Sequence, residues 1–117
     1  MKILISADME GATGVTWPAD VEPGTERQRC RAFIGYHAGA GAEGVLAHTY
    51  LPNSITSVQV NGESASEGWL NARVAEQYGV PVILITGDDL TCSDASGYAP
   101  VAQTVAVKKC ITEADYG

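Results

Sequence analysis

Apolar residues in this chain gather in short runs that end in glycines or acids. Residues 2–7 (KILISA) are such a run, closed by Asp8, Glu10 and Gly11, and they predict a buried strand. Residues 11–25 contain Gly11, Gly14, Pro18, Pro23 and Gly24, which predict a loop with tight turns. Residues 26–31 (ERQRCR) read as the start of a charged helix, cut off by a second strand over residues 32–36 (AFIGY). Residues 45–50 suit a short helix or strand stopped by Pro52-Asn53, and residues 55–60 (ITSVQV) alternate like a half-buried strand. A helix is predicted from Ser64 to Tyr78. Ser64 and Glu67 make an S-x-x-E capping box, Leu70, Val74 and Tyr78 mark one face, and Gly79 supplies the stop. Residues 80–86 form a fully apolar strand ending in Gly87-Asp88-Asp89, and residues 105–107 offer one more.

Strands alternating with helices predict an α/β fold with a mostly parallel sheet and flanking helices. The length, 117 residues, suits a single domain over residues 1–117. In such sheets the ligand sits beyond the carboxyl ends of the strands. Asp8, Glu10, His37 and Asp88-Asp89 all follow a predicted strand directly. One junction is odd. A parallel crossover needs a connection of about a dozen residues or more, and only residues 26–31 remain for its helix. Either that helix is vestigial or a segment is missing between Arg31 and Ala32.

Charge and composition narrow the partners. A net charge of −7 leaves no basic patch to neutralise phosphates, which excludes nucleic acid. Arg27, Arg29 and Arg31 read as a solvated face. Cys30, Cys92 and Cys110 follow no C-x-x-C pattern and fit reduced thiols in a cytoplasmic protein. The opening apolar run is too short for a signal peptide, and no run reaches membrane-spanning length, so no membrane partner is expected.

The candidate chemistry lies in a few acids and imidazoles. Side chains i and i+2 of a strand share a face, so Asp8 and Glu10 can aim both carboxylates at one point. His37 and His48 are the only histidines. Carboxylates with neutral imidazoles form the usual ligand set of a catalytic divalent metal. Each residue has a structural alternative. Asp8 and Glu10 can cap a strand end, His37 and His48 can be packing residues, and Glu67 can reach back to a cap amide. Asp88-Asp89 can add carboxylates or solvate a loop.

Residues 39–44 (GAGAEG) match G-x-G-x-x-G, with Glu63 at about the downstream distance of a dinucleotide fingerprint. Pro52 leaves too short a helix after them, so a loop of small residues for close packing is the better reading. No G-x-S-x-G elbow is present and no cysteine neighbours a histidine in sequence, which gives nucleophilic serine or cysteine chemistry little support.

Taken together, SADMEG, FIGYHAGAGAEGVLAHTY, SEGWLNARVAEQYGVPVILITGDD and AVKKC resemble the zinc-dependent D-aminopeptidases of the dipeptide-transport operon type. The resemblance runs to about Ile111, and TEADYG does not look like the family's continuation. It implies a two-zinc hydrolase that removes N-terminal D-residues from short peptides and assembles into a ring-like homo-oligomer. Carried over by motif, Asp8 matches the carboxylate bridging the metals and Glu10 a ligand of the first. His37 in GYHA and Glu67 in E-x-x-L-N-A match ligands of the second. His48 in GVLAHT matches the catalytic nucleophile. Its chemical role stays open between nucleophile, general base and oxyanion stabiliser.

The chain also departs from that family. Its members carry a sizeable block between the ERQRCR helix and the AFIGYHA strand, with an N-D-x-H type histidine that completes the first metal site. Here Arg31 adjoins Ala32 and no third histidine exists. Two expectations follow: an enzyme whose missing segment supplies that ligand, or a shortened, inactive relative. The latter would hold one zinc through Asp8, His37 and Glu67 and serve to bind a metal or peptide or as an assembly subunit.

Overall fold

The computed structural model of the chain describes residues 2–7 and 29–111. Asp8, Glu10 and the predicted loop over residues 11–25 lie outside them. Four parallel strands form the sheet in the order β1 (Lys2–Ala7), β2 (Arg29–Ile34), β5 (Val82–Asp88) and β6 (Gln103–Lys108). A two-residue antiparallel pair, β3 (Gln59–Val60) with β4 (Glu63–Ser64), sits in the β2–β5 connection. Helices α1 (Glu67–Gln77) and α2 (Asp89–Tyr98) complete the described fold. The predicted α/β class with a parallel sheet and flanking helices is the observed one. No helix among the described residues is long and apolar enough to cross a membrane.

The core lies between one sheet face and the two helices. Phe33, Val82 and Ile85 meet Ala72 and Ala75 of α1 and Ala95 and Tyr98 of α2. Both helices bury an i, i+4, i+7 stripe: Gly68, Ala72 and Ala75 in α1, and Thr91, Ala95 and Tyr98 in α2. These residues are small where the helices approach the sheet. The predicted apolar face of α1 is thereby corrected, since Val74 and Tyr78 are 45% and 48% exposed. Large side chains on the inner face would hold the helix away from Tyr36 and Tyr98.

Several boundaries differ from the sequence reading. Arg29, Cys30 and Arg31 belong to β2 rather than to a helix, because their backbone pairs with Lys2, Ile3 and Leu4 of β1. Arg31 is buried, not solvated, and burial lowers its pKa. The strand expected over residues 55–60 shrinks to Gln59–Val60, and residues 45–50 form turns and bends. Helix α1 starts later than expected. Its cap is Ser66, whose side chain accepts the Trp69 N–H at 3.1 Å, so the Ser64–Glu67 capping box does not form.

Helix α2 was not foreseen, since its inward positions are Thr91, Ala95 and Tyr98 rather than a run of large aliphatics. Asp88 begins it. The Asp88 carboxylate accepts the Thr91 N–H at 2.6 Å through Oδ1 and the Val45 N–H at 2.5 Å through Oδ2. Burial alone would raise its pKa, but the hydrogen bonds from Thr91 and Val45 and the nearby His37 hold it below the ordinary carboxylate value.

Two predictions follow from this packing. Ile85→Val should cost about 1 kcal/mol in a urea titration, and Val105→Ala, at an exposed edge position, less than about 0.5 kcal/mol. A carboxylate with a lowered folded pKa contributes stability above its unfolded pKa, and that contribution is lost as pH falls through the folded value. Acid-unfolding curves of Asp88→Asn should therefore be flatter than wild type below about pH 4.

Candidate metal centre

The site grows from the end of β2. After Ile34 the chain stays hydrogen-bonded to β5: the Gly35 N–H donates to Thr86 Oγ1 and the Tyr36 N–H to the Thr86 carbonyl, both at 2.9 Å. Gly87 makes this approach feasible, because a Cβ there would stand 2.5 Å from the Tyr36 carbonyl oxygen. His37 thus emerges at the carboxyl end of the sheet. Its neighbour Tyr36 stacks on Phe33 at 4.6 Å between centroids and accepts a hydrogen bond from Asn71 Nδ2 at 3.0 Å.

Residues 38–51 then fold back as an irregular loop. The His48 N–H donates to the Ala38 carbonyl at 3.0 Å, and the Ala40 N–H donates to Thr49 Oγ1 at 2.9 Å. Thr49 is fully buried. Leu46 and Tyr50, on either side of His48, hold left-handed φ values of 53° and 57°. Such conformations cost of order 1 kcal/mol or more each and persist where the surroundings determine them. No helix follows the glycine run, so the arrangement that a dinucleotide fingerprint requires is absent from residues 39–50. Gly44 serves close packing instead, since a Cβ there would stand 2.6 Å from the Ala38 Cβ.

This loop lays the two imidazoles against each other. Their ring centroids are 3.9 Å apart with planes at 12°, and both residues are buried. His37 Nδ1 lies 3.1 Å from the Ala38 carbonyl and His48 Nδ1 lies 2.7 Å from the Leu46 carbonyl. A carbonyl only accepts, so these contacts place the proton of each neutral ring on Nδ1 and leave Nε2 with a lone pair.

Glu67 arrives from the first residue of α1. Its Oε1 accepts the Tyr50 N–H at 2.7 Å and stands 3.9 Å from His37 Nε2. One ligand atom each from His37, His48 and Glu67 falls within 4.8 Å of the others. Two imidazole nitrogens and a carboxylate are a zinc donor set, and a tetrahedral ion would draw its ligands to about 3.3 Å from one another. Glu67 and one of the two stacked imidazoles fit such an ion after a small inward shift.

Of the five residues singled out by resemblance, the structure brings three together, and Asp8 and Glu10 lie outside the described residues. Asp88 and Asp89 are taken up by the framework: Asp88 caps α2 and holds Val45, and Asp89 Oδ1 accepts the Cys110 N–H at 2.7 Å. The sequence reading missed Tyr50 and Thr49, which shape the loop through a backbone amide and a buried hydroxyl. Thr49 beside a candidate histidine was the available signal. Nothing in the wording of the chain marks a backbone amide as a carboxylate's partner.

Comparison with known proteins gives the family. The family model for D-aminopeptidases, peptidase family M55, matches residues 1–33 and 29–115 in two stretches that meet where the junction between Arg31 and Ala32 falls. A D-aminopeptidase of Bacillus subtilis (strain 168) is 38% identical over 80 residues, which cover 68% of this chain and 29% of that protein. The solved structure of a Zn-dependent D-aminopeptidase from Bacillus subtilis, described as a self-compartmentalizing protease, superimposes with a TM-score of 0.61 at 38% identity. That match covers 70% of this chain and 30% of the other. The chain thus spans about three tenths of the length of these relatives. With two stretches matched from residue 1 to residue 115, it belongs to the D-aminopeptidase family M55.

Proposed function

We propose that the chain carries the second-metal and acid–base part of a zinc-dependent aminopeptidase site acting on short peptides with N-terminal D-residues. The observation that supports this most directly is the convergence of His37, His48 and Glu67 within 4.8 Å at the carboxyl end of a parallel sheet. In this reading His37 and Glu67 hold the second of two zincs, Asp8 bridges the pair and Glu10 binds the first. A ring-like homo-oligomer accords with the self-compartmentalizing relative. The free thiols of Cys30 and Cys92 accord with a cytoplasmic setting.

The stacking separates the two histidines. With ring planes 12° apart and centroids 3.9 Å apart, the two Nε2 lone pairs do not converge on one point, so one imidazole would hold an ion and the other would stand beside it. Glu67 approaches His37 at 3.9 Å, which supports ligation by that pair and the reaction role for His48. Zinc at this centre would polarise the scissile carbonyl and acidify a bound water. His48 keeps its Nδ1 proton on the Leu46 carbonyl and presents a lone pair at Nε2, where it accepts a proton or attacks an acyl carbon. The carboxylates suit the free ammonium of an N-terminal residue.

The alternative, a shortened relative that binds a metal or peptide without turnover, also rests on a specific observation. The chain has two histidines, both in this cluster, so none remains for the first metal.

Titration of the metal-free chain with zinc, together with turnover of a D-alanyl peptide, separates the readings. Glu67→Ala should weaken zinc binding on the order of a hundredfold or more. His48→Gln should keep zinc while turnover falls by about 100-fold or more. Full activity after chelation would refute the metal reading, and tight zinc binding without turnover would select the inactive relative.

A further inference from the structure

The geometry points to Asp88 as a positioning residue for both imidazoles, acting through the loop that carries His48; this rests on the metal-centre reading above. Asp88 is 3% exposed, stands outside the His37–His48–Glu67 cluster, and accepts one backbone N–H on each carboxylate oxygen. Oδ1 fixes the start of α2 through the Thr91 N–H, and Oδ2 takes the Val45 N–H at 2.5 Å. Val45 is adjacent to Leu46, whose carbonyl receives the His48 Nδ1 proton at 2.7 Å. One carboxylate therefore ties a rigid sheet-to-helix junction to the peptide that sets the His48 tautomer and ring plane.

The surroundings show why the tie is needed. Leu46 holds φ 53° and is 69% exposed, so its own side chain gives the turn little support. Gly44 lies close enough that a Cβ there would meet Asp88 Oδ2 at 3.3 Å and the Ala38 Cβ at 2.6 Å. The chain is pressed onto the carboxylate by design of the loop, with Ala38 bonded through its carbonyl to the His48 N–H at 3.0 Å. His37 stacks on His48, so a displaced His48 ring also displaces the face against which His37 rests. Partners in the outer shell of a metal site orient its ligands and commonly change affinity by about 10–100-fold when lost.

Asp88→Asn tests this with little change of shape. The amide keeps one acceptor and still caps a helix, but it cannot accept from both Thr91 and Val45. Gly44→Ala is a second variant that pushes the same loop off the carboxylate and leaves the cap intact. Val80→Ala, in the core just before β5, controls for lost stability. Long-range nitrogen–proton NMR of the metal-free chain reads the His48 tautomer, and calorimetric titration with zinc alone reads affinity.

Asp88→Asn and Gly44→Ala should each lower the share of Nδ1-protonated His48 and weaken zinc by about tenfold. Val80→Ala should change neither. Wild-type tautomer and zinc affinity in Asp88→Asn, or the same losses in Val80→Ala, would overturn the assignment. If Asp88→Asn does not fold, the same two measurements on Gly44→Ala decide. If wild type itself binds no zinc, the metal-centre reading fails, and the tautomer measurement still decides the role of Asp88.

Discussion

The site depends on how closely the chain leaving β2 lies against the end of β5. Strand pairing normally ends with the strand, but here Gly35 and Tyr36 continue to donate to Thr86, once to its side chain and once to its carbonyl. The close approach needs a residue without a Cβ at position 87, where any side chain would occupy the space of the Tyr36 carbonyl. His37 is delivered from that rigid junction rather than from a free loop. An imidazole held by two strands and by its own stacked neighbour loses little freedom when it takes a ligand, which is the physical content of preorganisation.

The rest of the centre is shaped by main-chain groups. The Leu46 and Ala38 carbonyls stand within hydrogen-bonding distance of the two imidazole Nδ1 atoms, the Tyr50 amide holds one oxygen of Glu67, and the Ala40 amide is anchored by the buried Thr49 hydroxyl. Two left-handed non-glycine residues mark the local cost of presenting those groups. The surrounding hydrogen bonds offset that cost only when all of them form together. The glycine run earns its place by packing density: Gly44 nestles against Ala38, and no nucleotide-binding helix follows it.

Much of the framework was legible along the chain. Buried parallel strands announce themselves as short apolar runs, and the 2–7 and 80–86 runs became β1 and β5 with boundaries moved by a residue or two. Helix α2 stayed hidden because its inward residues, Thr91, Ala95 and Tyr98, follow helical spacing without strong hydrophobic contrast. The charged segment 29–31 was misread for the opposite reason. Its arginines suggested a solvated helix, whereas pairing with β1 drew its backbone into the sheet and buried Arg31. The inner face of α1 was misplaced too, since small residues rather than large ones allow the closest approach to the aromatic rings of Tyr36 and Tyr98.

By itself the sequence determined the fold class, the parallel order of strand and helix, and the identity of His37, His48 and Glu67 as candidates. Those follow from local periodicity and from motif wording, which are properties of neighbours in the chain. Only the tertiary structure decided that Glu67 turns to His37 instead of to a helix cap. It also decided that the imidazoles stack, and that Asp88 accepts the N–H groups of both Thr91 and Val45. Apart from the Asp88–Thr91 cap, these are contacts between residues 11 to 43 positions apart, and no local pattern encodes them. They arise when two strands, a loop and a helix start are brought to one end of the sheet.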